Sequence, residues 1–230
     1  MTLTFIDLYN TCAGQPWSMY DSDAESIDDL ESALKISINK ALSFLWNYQP
    51  WSFRYYTQLI RTKQNKTSYS LPNGIITKKV VNGKEKFGIK YNGKSLTYVD
   101  DEDELDTKEG EPEAFYIKGE NLYLYPVPDD TYLITVDYLL MPCALTADDE
   151  QIYELTEEDD KVNIPEKYEK PFCNCLISLA MIYAIADESD ENHSGYMKQY
   201  EDSLAVLFKY CRDKAVSYTH LRAHETTLHL

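Results

Sequence analysis

A chain of 230 residues with 43% hydrophobic side chains can bury a core as one large domain or two small ones, and its composition excludes a disordered polymer. With 22 basic and 39 acidic residues the net charge is −17, which excludes a protein that grips duplex DNA by neutralising phosphates, a mode that needs clustered Lys and Arg. The start MTLTFIDLYN has no basic stretch and holds Asp7 among its apolar residues, and the longest apolar run, about 175–186, is too short for a bilayer, so a soluble protein made in a cytosol, with no membrane partner, is expected.

Taken in chain order, Ser22 to Glu25 has the Ser-x-x-Glu form of a helix capping box. Behind it Ile27, Leu30, Leu34, Ile38, Ala41, Leu42 and Leu45 recur at three and four residues. An amphipathic helix follows, ending near Tyr48 because Pro50 disfavours helix before it. From Trp51 to about Ile164 the signals are those of strands and turns. Asn73-Gly74, Asn82-Gly83, Asn92-Gly93 and Lys118-Gly119 separate short segments rich in Tyr, Ile and Val. The clearest hairpin is AFYIKGENLYLYP, and in the strand after it Tyr132, Ile134, Val136 and Tyr138 share one face.

Pro165 suits the first position of a helix, whose stripe is Tyr168, Phe172, Leu176, Leu179 and Tyr183. The polar stretch from Asp187 to Ser194 ends it. A last helix from about Gly195 places Tyr200, Leu204, Leu207, Phe208 and Cys211 inward. The expected class is α+β: one N-terminal and two C-terminal helices form a bundle (1–50 and 165–215), with an antiparallel β module inserted at 51–164.

The five cysteines, Cys12, Cys143, Cys173, Cys175 and Cys211, are an odd number and read as free, mostly buried thiols. Cys173 and Cys175 are two positions apart on a helix, turned about 200° from each other, which argues against a shared metal. Catalytic patterns fail one by one. Ser37-x-x-Lys40 lies mid-helix without its companion motifs, and no nucleophile elbow or phosphate loop occurs. In the acidic run from Asp100 to Asp106 a calcium loop starting at Asp101 would need an oxygen ligand where Leu105 stands and a glycine where Asp106 stands. That run, and the second at 157–160, read as solvated loops, with an acidic lumen or partner patch, and after it a metal site, as the alternatives. No enzyme, cofactor or metal is expected.

The stretch LWNYQPWSFRYYTQLIRTKQNKTSYSLPNG, with Asn39 and Ala41 on the preceding helix, then Trp51 and Tyr69-Ser70-Leu71-Pro72, resembles the head-to-tail adaptors of tailed phages, the tail tubular protein A or gatekeeper-type neck proteins. The resemblance continues through Tyr116, Leu124, Pro126, Pro128, Tyr132, Tyr138 and Pro142, and resumes at Ile164-Pro165 and Tyr168. It implies a ring, usually of twelve copies, that binds the portal protein on one side and the next tail or nozzle ring on the other. Duplex DNA passes through its centre without specific binding, in the neck of a short-tailed virion. The acidic loop 100–113 departs from the family pattern. Trp51, Tyr69, Pro72, Tyr116, Pro126, Tyr132, Tyr138 and Tyr168 are the interface or structural residues the resemblance singles out, with Trp51 expected to be buried. A rival reading is a β-sandwich binding module of a tail or baseplate, with a protein or carbohydrate ligand. A third is a hydrolase built on the acidic loop.

The last fifteen residues, VSYTHLRAHETTLHL, hold His220, His224 and His229, of which the first two have metal-ligand spacing on a helix. The segment resembles a translated sequencing adapter, so 216–230 is expected to be an artefactual tail standing in place of the natural terminus. Without it His193 is the sole histidine, and the net charge is unchanged because Arg222 and Glu225 leave together.

Overall fold

The computed structural model describes residues 3–15, 27–100, 108–185 and 191–225, with side chains at all of these except 27–30, 84, 191 and 213–225. It is 38% helix and 31% strand, the α+β class expected. The chain separates into two compact units, Met1–Phe53 with Pro142–Leu230, and Arg54–Met141. The capping box at 22–25 and the acidic run at 101–106 lie outside the described residues.

The first unit contains α1 (Phe5–Ala13), α2 (Ile27–Asn47), α3 (Glu166–Ala184) and α4 (Glu191–Glu225). Helix α1 adds to the single N-terminal helix expected from sequence. Thr4 caps it, its hydroxyl oxygen accepting the Asp7 N–H at 3.3 Å, and Phe5, Leu8 and Cys12 form its buried stripe. Helix α2 turns Leu34, Ile38, Ala41, Leu42 and Leu45 inward and stops at Asn47, where the proline rule places its end.

Pro165 caps α3 in an extended conformation rather than opening it as the first helical residue, because its ψ of 138° lies outside the helical range. Tyr168, Phe172, Leu176 and Leu179 are buried as their spacing requires. Helix α4 starts four residues ahead of Gly195 and passes through it. Leu207 and Cys211 are buried, whereas Phe208, expected inward, stays exposed while its ring lies 5.3 Å from that of Trp51.

Three short strands, β14 (Ala144–Leu145), β15 (Gln151–Ile152) and β16 (Lys161–Val162), group with these helices rather than with the β module. The reason is visible at the chain start. The Phe5 N–H donates to Asp160 O at 2.7 Å, and the Val162 N–H to Leu3 O at 3.1 Å, so this small sheet is tied to the entrance of α1.

The second unit holds β1 (Tyr55–Arg61), β2 (Ser68–Ser70), β3 (Gly74–Ile76), β4 (Lys78–Val81), β5 (Lys84–Phe87), β6 (Ile89–Tyr91), β7 (Lys94–Ser95), β8 (Thr97–Tyr98), β9 (Glu109–Gly110), β10 (Ala114–Lys118), β11 (Asn121–Tyr125), β12 (Val127–Pro128) and β13 (Leu133–Leu140). Strand β13 organises one sheet in the order β1-β13-β6-β7, with β3 also against β13; a second sheet runs β2-β11-β10-β8. Pairing is antiparallel except at β8–β10 and β9–β12, two short parallel pairs that the sequence did not announce.

Between the two sheets lies one core, built from Ile60, Ile89, Ile134 and Val136 of the first and Tyr69, Phe115, Leu122 and Leu124 of the second. The alternation read in β13 is what puts Ile134 and Val136 there. Asn82-Gly83 and Asn92-Gly93 take positive φ at both positions and close the hairpins β4–β5 and β6–β7. Gly74 serves differently: a Cβ there would stand 2.3 Å from the Tyr138 ring and 2.6 Å from Leu139 O, so only glycine lets β3 pair with β13.

Candidate interaction surfaces

The residues carrying the family resemblance build two aromatic cores and the turns around them. In the helical unit Trp51 is fully buried; its Nε1–H donates to Leu45 O at 2.7 Å, and its ring is nearly parallel to Phe53 at 5.9 Å. Tyr168 packs on Phe53 at 5.1 Å and edge-on to Tyr210. Asn39 explains its place in the motif by reading a backbone: its Nδ2 donates to Leu155 O and its Oδ1 accepts from the Leu155 N–H, both at 2.8 Å. Ala41, with no exposed surface, is small because α2 is fully covered there.

In the β unit the Tyr69 hydroxyl latches the chain after β1, donating to Lys66 O at 2.9 Å and accepting the Lys63 N–H at 3.1 Å. Pro72 opens the turn that delivers Gly74, whose N–H donates to Pro72 O at 2.7 Å. Tyr116 lies parallel to its cross-strand partner Tyr123 at 4.6 Å, and Tyr138 stacks on Tyr56 at 6.0 Å. Pro126 follows a cis peptide bond and lies beside Gly110. The Tyr132 hydroxyl donates to Asp129, and this bond, with the nearby carboxylates, pushes its pKa up to about 12. Trp51, Tyr69 and Tyr168 are thus buried, and the other five are half-buried.

Of the acidic run at 157–160, read from sequence as solvated, Asp160 is buried. Its Oδ2 accepts the Thr156 N–H at 2.7 Å, the Glu157 N–H at 2.9 Å and the Thr156 hydroxyl at 3.0 Å. Burial works against its charge, but these hydrogen bonds outweigh it and hold the carboxyl below the ordinary aspartate range. The cysteines are free; burial pushes Cys12 and Cys175 up to about 12, and Cys173 and Cys211 up to about 11, which leaves them neutral and unreactive. Ser37 is buried on α2, and the Lys40 ammonium sits over the Tyr183 ring at 4.4 Å, so neither belongs to a reactive pair.

Surfaces available to partners come from residues outside the family resemblance. On the helical unit Phe44, Tyr48 and Phe208 form a continuous, exposed aromatic ridge, with centroids 5.7 and 6.0 Å apart. Phe208 also lines an open groove of about 590 Å³ with Gln49, Ser52, Ala205, Lys209 and Arg212. On the β unit the outer face of the β1–β13 sheet exposes Tyr55, Leu59, Ile75 and Leu133. The signal for that face was present in β1, where apolar residues fall on both sides of the strand.

No helix of the described residues is long and apolar enough to cross a membrane. No curated protein matches the chain. Residues 18–223 match the SU10 adaptor protein family, across both units. The chain belongs to that family of structural phage head-to-tail adaptors, which is not an enzyme class.

Proposed function

We propose that this adaptor forms a ring, of twelve copies as in the proteins it resembles, in the neck of a short-tailed virion. The helical unit binds the portal protein, the next tail or nozzle ring follows, and duplex DNA passes through the centre without specific binding. The protein is made in the host cytoplasm and incorporated into the virion.

The observation that carries the portal assignment is the ridge of Phe44, Tyr48 and Phe208 beside its groove. Contiguous exposed aromatics are uncommon on isolated chains and are enriched at the centres of interfaces. The net charge of −17 supports a passage that repels phosphate and lets a duplex slide. Phe44→Asp tests the ridge: the residue is exposed, so the variant should melt like the parent while losing association with the portal. The second reading, a β-sandwich binding module of a tail or baseplate, is favoured by the apolar outer face of the β1–β13 sheet. It expects Tyr55→Asp, and not Phe44→Asp, to abolish partner binding.

A further inference from the structure

Among the described residues the β4–β5 hairpin pairs with no other strand. It is rooted by Phe87 against Tyr98 and Phe115, but beyond that root it is a two-stranded ribbon of a kind only marginally stable alone. Its far end exposes Val80 at 70% and Val81 at 41%. On one face Lys78 is paired with Glu85 at 2.9 Å; on the other, Lys79 stands directly opposite Lys86. Like charges directly opposite across a ladder are unfavourable. In a chain of net charge −17, this ribbon is cationic and valine-tipped.

These features specify a partner that is anionic and carries an apolar patch. Phosphate would answer the lysines and leave the valines uncovered. The loop between β15 and β16 of the helical unit answers both: Tyr153 is 59% exposed, and Glu154, Glu157 and Glu158 beside it in sequence are exposed as well. We infer that the β4–β5 hairpin of one copy docks on the Tyr153–Glu158 loop of a neighbouring copy. Each copy then offers one hairpin and one loop, so the contact is head-to-tail and propagates until it closes. This inference rests on the ring reading above and names the contact that would hold neighbours in register.

The test is a charge swap read by light scattering over a concentration series of the full chain, with melting curves as folding controls. Lys79→Glu with Lys86→Glu raises the concentration for self-association about tenfold, as does Glu154→Lys with Glu157→Lys. Mixing the two variants restores association to near the parent level, because each then supplies the charge the other lacks. Either variant associating like the parent, or a mixture that fails to recover, overturns the inference. So does retardation of duplex DNA that is lost with the hairpin lysines while self-association is unchanged. If all variants still form rings, the ring reading survives and only this contact fails. If no chain associates even with portal present, both fail.

Discussion

Trp51 supports the helical unit from two directions, by packing against Phe53 and Phe208 and by closing the end of α2 through its bond to Leu45 O. Trp51→Ala is expected to cost about 3–5 kcal/mol in chemical denaturation; a variant that melts normally would contradict the placement. Asp160 makes a prediction of different sign logic. Its native carboxyl is held below the ordinary aspartate value of 3.8, so its stabilisation is present in full above that value and is lost as pH falls through the lowered native pKa. Asp160→Asn should therefore melt below the parent at neutral pH and converge with it in strong acid; a gap that stays constant with pH would contradict the assignment. Trp51 was legible as a core residue from its type and setting. Asp160 was not, because a carboxylate wrapped by its own turn becomes distinguishable from a solvated one only once the start of α1 has covered it.

At the scale of elements, legibility followed the length and stringency of the local signal. The Asn-Gly turns at 82–83 and 92–93 were readable because two successive positive φ angles leave few other residue choices. Helix α2, with seven apolar positions in register, was readable because its periodicity is long and regular. Helix α1 is nine residues long and offers only Phe5, Leu8 and Cys12 as a stripe, too few to stand out as a helical period. The two-residue strands β14, β15 and β16 have no periodicity to read, and only their pairing shows which unit they join. The end of α4 is the sharpest discrepancy between levels. Helix continues to Glu225 and the family match to residue 223, whereas 216–230 reads as adapter-encoded sequence with no cap to sustain a helix. His220, His224 and His229 lie outside the described side chains. If 216–230 is adapter-encoded, deleting it should leave the melting temperature unchanged, since such a segment would have no reason to pack on this core. A drop of several degrees, or a zinc-dependent rise abolished by His220→Ala, would return the segment to the fold.

For the whole molecule, the division into a helical unit and a two-sheet unit separates the candidate contacts. The helical unit carries the aromatic ridge, and the β unit carries the basic hairpin and the apolar sheet face. The residues that made the family recognisable are mostly the ones that hold each unit together, such as Asn39, Trp51, Tyr69 and Tyr168. Apart from the apolar face of β1, the surfaces that would meet partners were silent in the sequence, because exposure of Phe44 or Val80 is decided by how the elements pack and not by residue type. The function proposed for this adaptor is a neck ring built on the portal. The most direct measurement is the mass, by light scattering, of the full chain mixed with purified portal. The expected result is a complex carrying many copies of the adaptor per portal ring, lost with Phe44→Asp while the variant still melts like the parent. A chain that stays monomeric beside the portal, or a Phe44→Asp variant that binds it undiminished, would contradict the account.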